Sequence, residues 1–161
     1  MTYQLLQISL AGINLIKKYQ GLSLEKYRDE SGLWVIGYGH IVSPADCFGD
    51  IITPSQAEIL LSADIDICEQ FLHENIGITL GQFQYDALIS LIFSCGKTQV
   101  MQTGILNDIA QGNYAKATEI WRHEQMLNGK YIPSLAALRQ AECELFTIND
   151  CPQSALSHAG V

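Results

Sequence analysis

Apolar residues recur first at helical spacing, then at strand spacing, then at helical spacing again. Ile13 and Ile16, with Leu10, share one face of a segment that Ser9 can cap, which predicts a first helix through about Tyr19. Gly21 follows as its stop. Leu24–Asp29 and Leu33–His40 are rich in aromatic and β-branched residues and flank Glu30-Ser31-Gly32. That pattern predicts a small hairpin, the only convincing β-structure in the chain. A third short strand fits near Gly49–Thr53. Thr53-Pro54-Ser55-Gln56 is a helix start: Thr53 can cap, proline suits the first helical position, and Gln56 can close a capping box. That helix runs to about Glu74, with Ile59, Leu60, Ile65, Ile67 and Phe71 as its apolar contacts, and is long enough to bridge two lobes.

Leu80–Cys95 reads as the core helix, with Phe83, Ala87, Leu88, Leu91 and Ile92 at helical spacing and Gly96 at its end. Ile105–Ala110 predicts a short helix stopped by Gly112. Asn113 caps another, from Tyr114 to about His123, and a loop follows at Asn128-Gly129-Lys130. Ser134 caps a last helix through Phe146, with Leu135, Leu138, Ala141 and Leu145 inward. Residues 148–161 lose the periodicity and read as a loosely held tail. Helix, β-lobe over about 20–53, long helix, helical lobe: this order predicts one mostly helical α+β domain over 1–147, its sheet set apart from its helices.

Composition narrows the setting. At 161 residues and 48% hydrophobic, the chain suits one compact domain. A domain of this size buries roughly two-thirds of its unfolded surface. The five cysteines are irregularly spaced without a C-x-x-C pair, so they read as reduced thiols and point to folding in the cytosol. No second His or Cys lies at ligand spacing from His40, so no metal and no cofactor is expected. No basic segment precedes the apolar run from Ile8 to Ile16, so no signal peptide is expected. No run reaches the ~18–20 apolar residues of a membrane span. The expected location is the cytoplasm at synthesis, with export only through a pore or a secretion machine. With 17 acids against 9 bases and a net charge of −8, the balance argues against nucleic acid as a partner.

Several motifs, in order, resemble the phage lysozyme family, the endolysins of the T4 type. The strongest is G-x-x-L-x-x-Y-x-D-x-x-G-x-x-x-I-G-Y-G-H, carried by Gly21, Leu24, Tyr27, Asp29, Gly32, Ile36, Gly37, Tyr38, Gly39 and His40. Ile52, Thr53, Ala57, Leu60 and Leu61 match a second motif; Gln84, Asp86, Ala87, Leu88 and Ser90 match a third; Leu135, Arg139 and Glu142 match a fourth. The resemblance spans Ile13 to Phe146. It implies a lysozyme-like fold and muramidase action, the hydrolysis of the glycan strands of bacterial peptidoglycan. In that family the catalytic set is a Glu, an Asp and a Thr. The matching positions here hold Gln20, Asp29 and Val35, so only the aspartate is retained.

The departures have a direct chemical meaning. A glutamine amide can hydrogen-bond a glycosidic oxygen but cannot protonate it at neutral pH, and Val35 has no hydroxyl to hold a water. Ser94 replaces the usual Asn, Thr103-Gly104 the usual Ser-Thr, and Leu138 the first of two arginines, at positions that line or support the family's cleft. Gly37 and Gly39 suit a strand that bends or that a sugar approaches closely. Tyr38 and Trp34 could stack on sugars, or pack in a core or against a partner. His40 is expected to tie the hairpin to a helix through a carboxyl such as Asp86, and Arg139 to pair with Glu142. The reading that follows is a catalytically deficient lysozyme-like protein, a pseudo-muramidase, that binds peptidoglycan or an unidentified protein partner. The alternatives are an active endolysin, with Glu25 or Glu30 as a shifted acid, and an inactivated variant of a normal one.

Overall fold

The computed structural model describes residues 5–148, so all of the expected tail except Ile148 lies outside the described residues. Helix α1 (Leu10–Gln20) stops at Gly21, whose N–H closes on the Lys17 carbonyl and whose φ of 69° turns the chain out of the helix. Ser9 holds the N-cap position but does not cap. Its N–H and hydroxyl both donate to the Asp86 carboxylate instead. The arm before it is held in the same manner. His73 Nε2 donates to the Leu6 carbonyl at 3.0 Å, Gln82 Nε2 to the Gln7 carbonyl at 2.8 Å, and the Ile8 N–H donates to Glu69 at 2.9 Å.

Strands β1 (Ser23–Arg28), β2 (Trp34–Gly37) and β3 (His40–Ile41) form an antiparallel sheet in that order. Tyr27 pairs with Val35, Val35 with Ile41, and a bulge separates these from the Ser23–Gly37 pair. The third strand is therefore His40–Ile41. The expected strand near Gly49–Thr53 reduces to an isolated bridge between Ile51 and Glu25. The chain turns so early because Gly37 and Gly39 take φ of 66° and 73°, so the strand expected over Leu33–His40, with a bend at these glycines, ends at the first of them.

Helix α2 (Pro54–Asn75) begins in a full capping box, with the Gln56 N–H on Thr53 Oγ1 at 3.1 Å and the Thr53 N–H on Gln56 Oε1 at 2.8 Å. That start fixes the helix phase, so Ala57, Leu61, Ile65, Cys68 and Leu72 turn inward. Ile59 and Ile67, expected among the helix's apolar contacts, are 68% and 51% exposed. Helix α3 (Gln82–Cys95) is buried at every position from Tyr85 to Ile92, and α1, α2 and the last helix pack around it.

Helix α4 (Lys97–Thr103) has no counterpart in the sequence reading, because Val100 is its one buried residue and no apolar period exists to find. Helices α5 (Ile105–Ala110) and α6 (Tyr114–Arg122) follow. Asn128-Gly129, expected in a loop, joins the short strands β4 (Met126–Leu127) and β5 (Lys130–Tyr131) in a second hairpin. Their φ values of 50° and 78° form the turn that Asn-Gly favours. Helix α7 (Leu135–Thr147) closes the fold, and neither Ser134 nor Asn113 caps through its side chain. The main core surrounds α3, a smaller one of Ile36, Ile52 and Ala57 lies under the sheet, and Tyr38 packs against both. Among the described residues, no helix is long and apolar enough to cross a membrane.

Candidate active site

A cleft of about 400 Å³ lies between the sheet and the helical lobe. The last turn of α1 brings Gln20 to it, the β1–β2 turn brings Asp29 and Glu30, β2 brings Val35, and the end of α3 brings Ser94. Gly39 also lines it. Leu138 stands beside them, so seven of the residues singled out from sequence converge. Gly37, Tyr38 and Thr103 stand elsewhere. A Cβ at Gly37 would meet Ala57 at 3.5 Å, an ordinary contact, so it is the φ of 66° and not the space against α2 that calls for glycine. The Tyr38 hydroxyl donates to Glu58 at 3.4 Å, and the Lys17 ammonium sits 5.2 Å from the centre of its ring. Thr103 donates to the Val100 carbonyl at 2.6 Å and accepts from the Ile105 N–H at 3.1 Å, which joins α4 to α5.

Asp29 is half-buried, and its Oδ1 is saturated by its own turn. Ser31 Oγ at 2.6 Å, the Ser31 N–H at 2.9 Å and the Leu33 N–H at 3.0 Å all donate to that one oxygen. Oδ2 is the oxygen left to face a ligand. Glu30, the other carboxylate of the lining, accepts from Ser134 Oγ at 2.7 Å and so links the β-lobe to the start of α7. Glu25 does not line the cleft: it is exposed and lies on the outer strand opposite Ile51. Val35 is 1% exposed and apolar. The Gln20 side chain lies over Gly39, and a Cβ there would strike its amide oxygen and lie 3.1 Å from its Cδ. Burial, then the charge of Asp29, pushes the Tyr27 phenol up, so it stays a hydrogen-bond donor at the rim.

The floor rests on a fully buried ion pair. Arg139 donates to Glu142 at 2.9 Å, to Ser94 Oγ at 3.1 Å and to the Glu124 carbonyl. Glu142 also accepts from Ser90 Oγ at 2.5 Å and Trp121 Nε1 at 3.0 Å. Burial pushes the Glu142 carboxyl up from its ordinary value, against the pull of Arg139 and the two neutral donors. His40 joins the sheet to α2, but not through Asp86, which is fully buried and committed to Ser9 and Gln82. Its partners are Asp64 at 2.7 Å and Asp46 at 3.2 Å. The hydrogen bond to Asp64 above all holds His40 above the ordinary histidine value, against desolvation, and Asp46 adds to the effect. Among the described residues, no three His, Cys, Asp or Glu side chains gather as a metal would need.

Of the opposite wall, sequence reasoning singled out Leu138 alone as lining the cleft and missed Leu127, Ile132, Ser134 and Leu135 in that role. These come from the second hairpin and the start of α7, about a hundred residues from Asp29, and of them only Leu135 belongs to a motif, the fourth.

Residues 17–142 match the family model described as phage lysozyme. The endolysin of Acyrthosiphon pisum secondary endosymbiont phage 1 is 38% identical over 145 residues, covering 88% of this chain and 98% of that relative. The solved endolysin from Escherichia coli O157:H7 phage FAHEc1 superposes with a TM-score of 0.78 at 27% identity, over 91% of this chain and 97% of that one. The muramidase domain of SpmX from Asticaccaulis excentricus gives a TM-score of 0.75 at 28% identity, over 89% and 99%.

Proposed function

Given that the chain belongs to the phage lysozyme family, we propose that it takes a peptidoglycan glycan strand into its cleft and holds it without cutting it. The observation that carries this reading is the Gln20 side chain, a neutral amide laid over Gly39 where the cleft needs its proton donor. Cleaving a glycosidic bond takes a carboxylic acid at the leaving oxygen and a second carboxyl across the sugar. An amide supplies no proton, which removes a contribution of about 10²–10⁴-fold in rate. Val35, on the same cleft, has no hydroxyl with which to hold a water. Asp29 Oδ2 remains to face developing positive charge, which is one part of the chemistry without the others.

Glu30 favours a second reading, a working endolysin with a shifted acid, because it lines the same cleft and one hydroxyl holds it. Both readings meet in one experiment on purified peptidoglycan, comparing the unaltered chain with Gln20→Glu, Val35→Thr, the double change and Glu30→Gln. The holding reading expects no product from the unaltered chain, retained sedimentation with the peptidoglycan, and turnover from the double variant. Clear turnover by the unaltered chain that disappears in Glu30→Gln replaces it with the second reading.

A further inference from the structure

The cleft is not the only unpartnered surface. Helix α2 already has one buried apolar face, yet Ile59, Ala63 and Ile67 recur every fourth residue on the side away from it, all exposed. Single exposed isoleucines are ordinary. A second stripe in register on an otherwise core-packed helix is not what a solvated face needs. The stripe also ends in a cavity. Ile67 walls a hollow of about 220 Å³ together with Cys68, Ile92, Phe93 and the exposed Ile41. Ile41 and Phe93 wall the active-site cleft as well, so the two hollows adjoin without being one.

Charge selects what covers this face. Helix α2 carries five carboxylates and neither Lys nor Arg. Glu58, Asp66 and Glu74 lie on its exposed side among the isoleucines. Lys17 pairs with Glu58, whereas Asp66 makes no ion pair among the described residues. At the margin of the hollow Lys97 is the one lysine, and His40 there is already paired with Asp64 and Asp46. A second copy would bring the same acidic row against this one, at a net charge of −8 each. A glycan would bring hydroxyls to largely apolar walls that offer them few partners. A cationic, apolar-faced helix matches both properties.

We propose that the outer face of α2 docks a basic amphipathic helix of a partner protein, one large apolar side chain of which fills the hollow beside Ile67. This surface adjoins the cleft, sharing Ile41 and Phe93 with it, but its apolar stripe on α2 lies outside the cleft and does not depend on whether the cleft cuts or holds glycan.

The test uses a synthetic amphipathic peptide of leucine and lysine, with a leucine–glutamate peptide of the same length as control, titrated into the ¹⁵N-labelled chain at physiological salt. The expected shifts map to Ile59–Ile67, Ile41 and Phe93, and the control peptide gives none. Ile59→Ser/Ile67→Ser leaves the charge unchanged and is expected to weaken binding by about tenfold or more. Asp66→Asn/Glu74→Gln weakens it through charge alone. All four positions are exposed, so circular dichroism should be unchanged. Unweakened binding in the isoleucine variant, or shifts scattered over every acidic surface, overturns the proposal. So does a dimer in sedimentation that those two serines dissolve, which would make the occupant a second copy.

Discussion

Arg139→Met tests the account of the cleft floor most sharply. The guanidinium is fully buried and donates to Glu142, Ser94 and the Glu124 carbonyl. Methionine fills much of the same volume, so the loss is chiefly electrostatic. Glu142 is left without its ion-pair partner in a fully buried site, with only Ser90 and Trp121 to donate to it. Breaking a buried pair from one side costs about 3–5 kcal/mol. That is a large part of the ~5–15 kcal/mol that holds a domain together.

The cost depends on pH. Burial already raises the Glu142 carboxyl, and the variant removes the positive charge that opposed it. Its folded value therefore lies further above the unfolded one. For such a group, stability is fully present below the unfolded value and is lost as pH rises through the folded one. The deficit of the variant against the unaltered chain should be largest near about pH 7–8 and shrink towards about pH 5. Urea unfolding read by tryptophan fluorescence and circular dichroism at both pH values measures it. Adding Glu142→Gln should recover part of the loss at high pH. A deficit below about 1 kcal/mol, or one that does not change with pH, refutes the reasoning.

His40 sets a second pH dependence. Its raised value means that its contribution is complete below the unfolded histidine value and disappears as pH rises through the folded one, so urea midpoints should fall on going from about pH 6 to 8.5. His40→Ala should flatten that slope and cost about 1–3 kcal/mol at the acid end. Thr53→Ala should cost about 0.5–2 kcal/mol with an unchanged urea slope, since it removes half of a capping box. Gly39→Ala should cost at least about 1–2 kcal/mol for a side chain at φ 73°, and more for displacing the Gln20 amide. The same change made in Gln20→Ala should cost less, and equal losses in the two backgrounds would show that the two residues do not touch.

The features written in local chemistry were the ones legible in the sequence. Gly21 ended α1, and the Thr53 cap started α2, because both signals act within a few residues. The turn at Asp29-Glu30-Ser31-Gly32 was legible for the same reason, since a carboxylate that bonds its own following N–H groups is a local device. One motif therefore located most of one wall of the cleft. What depends on how helices pack was not legible. Asp64 and Asp86 are both acids on helices, and nothing near either says which one His40 meets. Ile59 and Ile67 have the right composition for a core and the wrong phase for it. The wall opposite Asp29 comes from residues far along the chain, and the Glu30–Ser134 bond has no sequence signal at all.

The side-chain grip on the arm from Leu6 to Ser9 also orders events in time. Its partners Glu69, His73, Gln82 and Asp86 lie 61 to 77 residues further along the chain. Helix α1 thus has nowhere to dock until α2 and α3 exist, and closing so long a loop is slow relative to forming either helix. Gln20 rides on that helix. The placing of Gln20 on the cleft therefore waits on contacts that α2 and α3 supply, not on the β-lobe next to it in the chain.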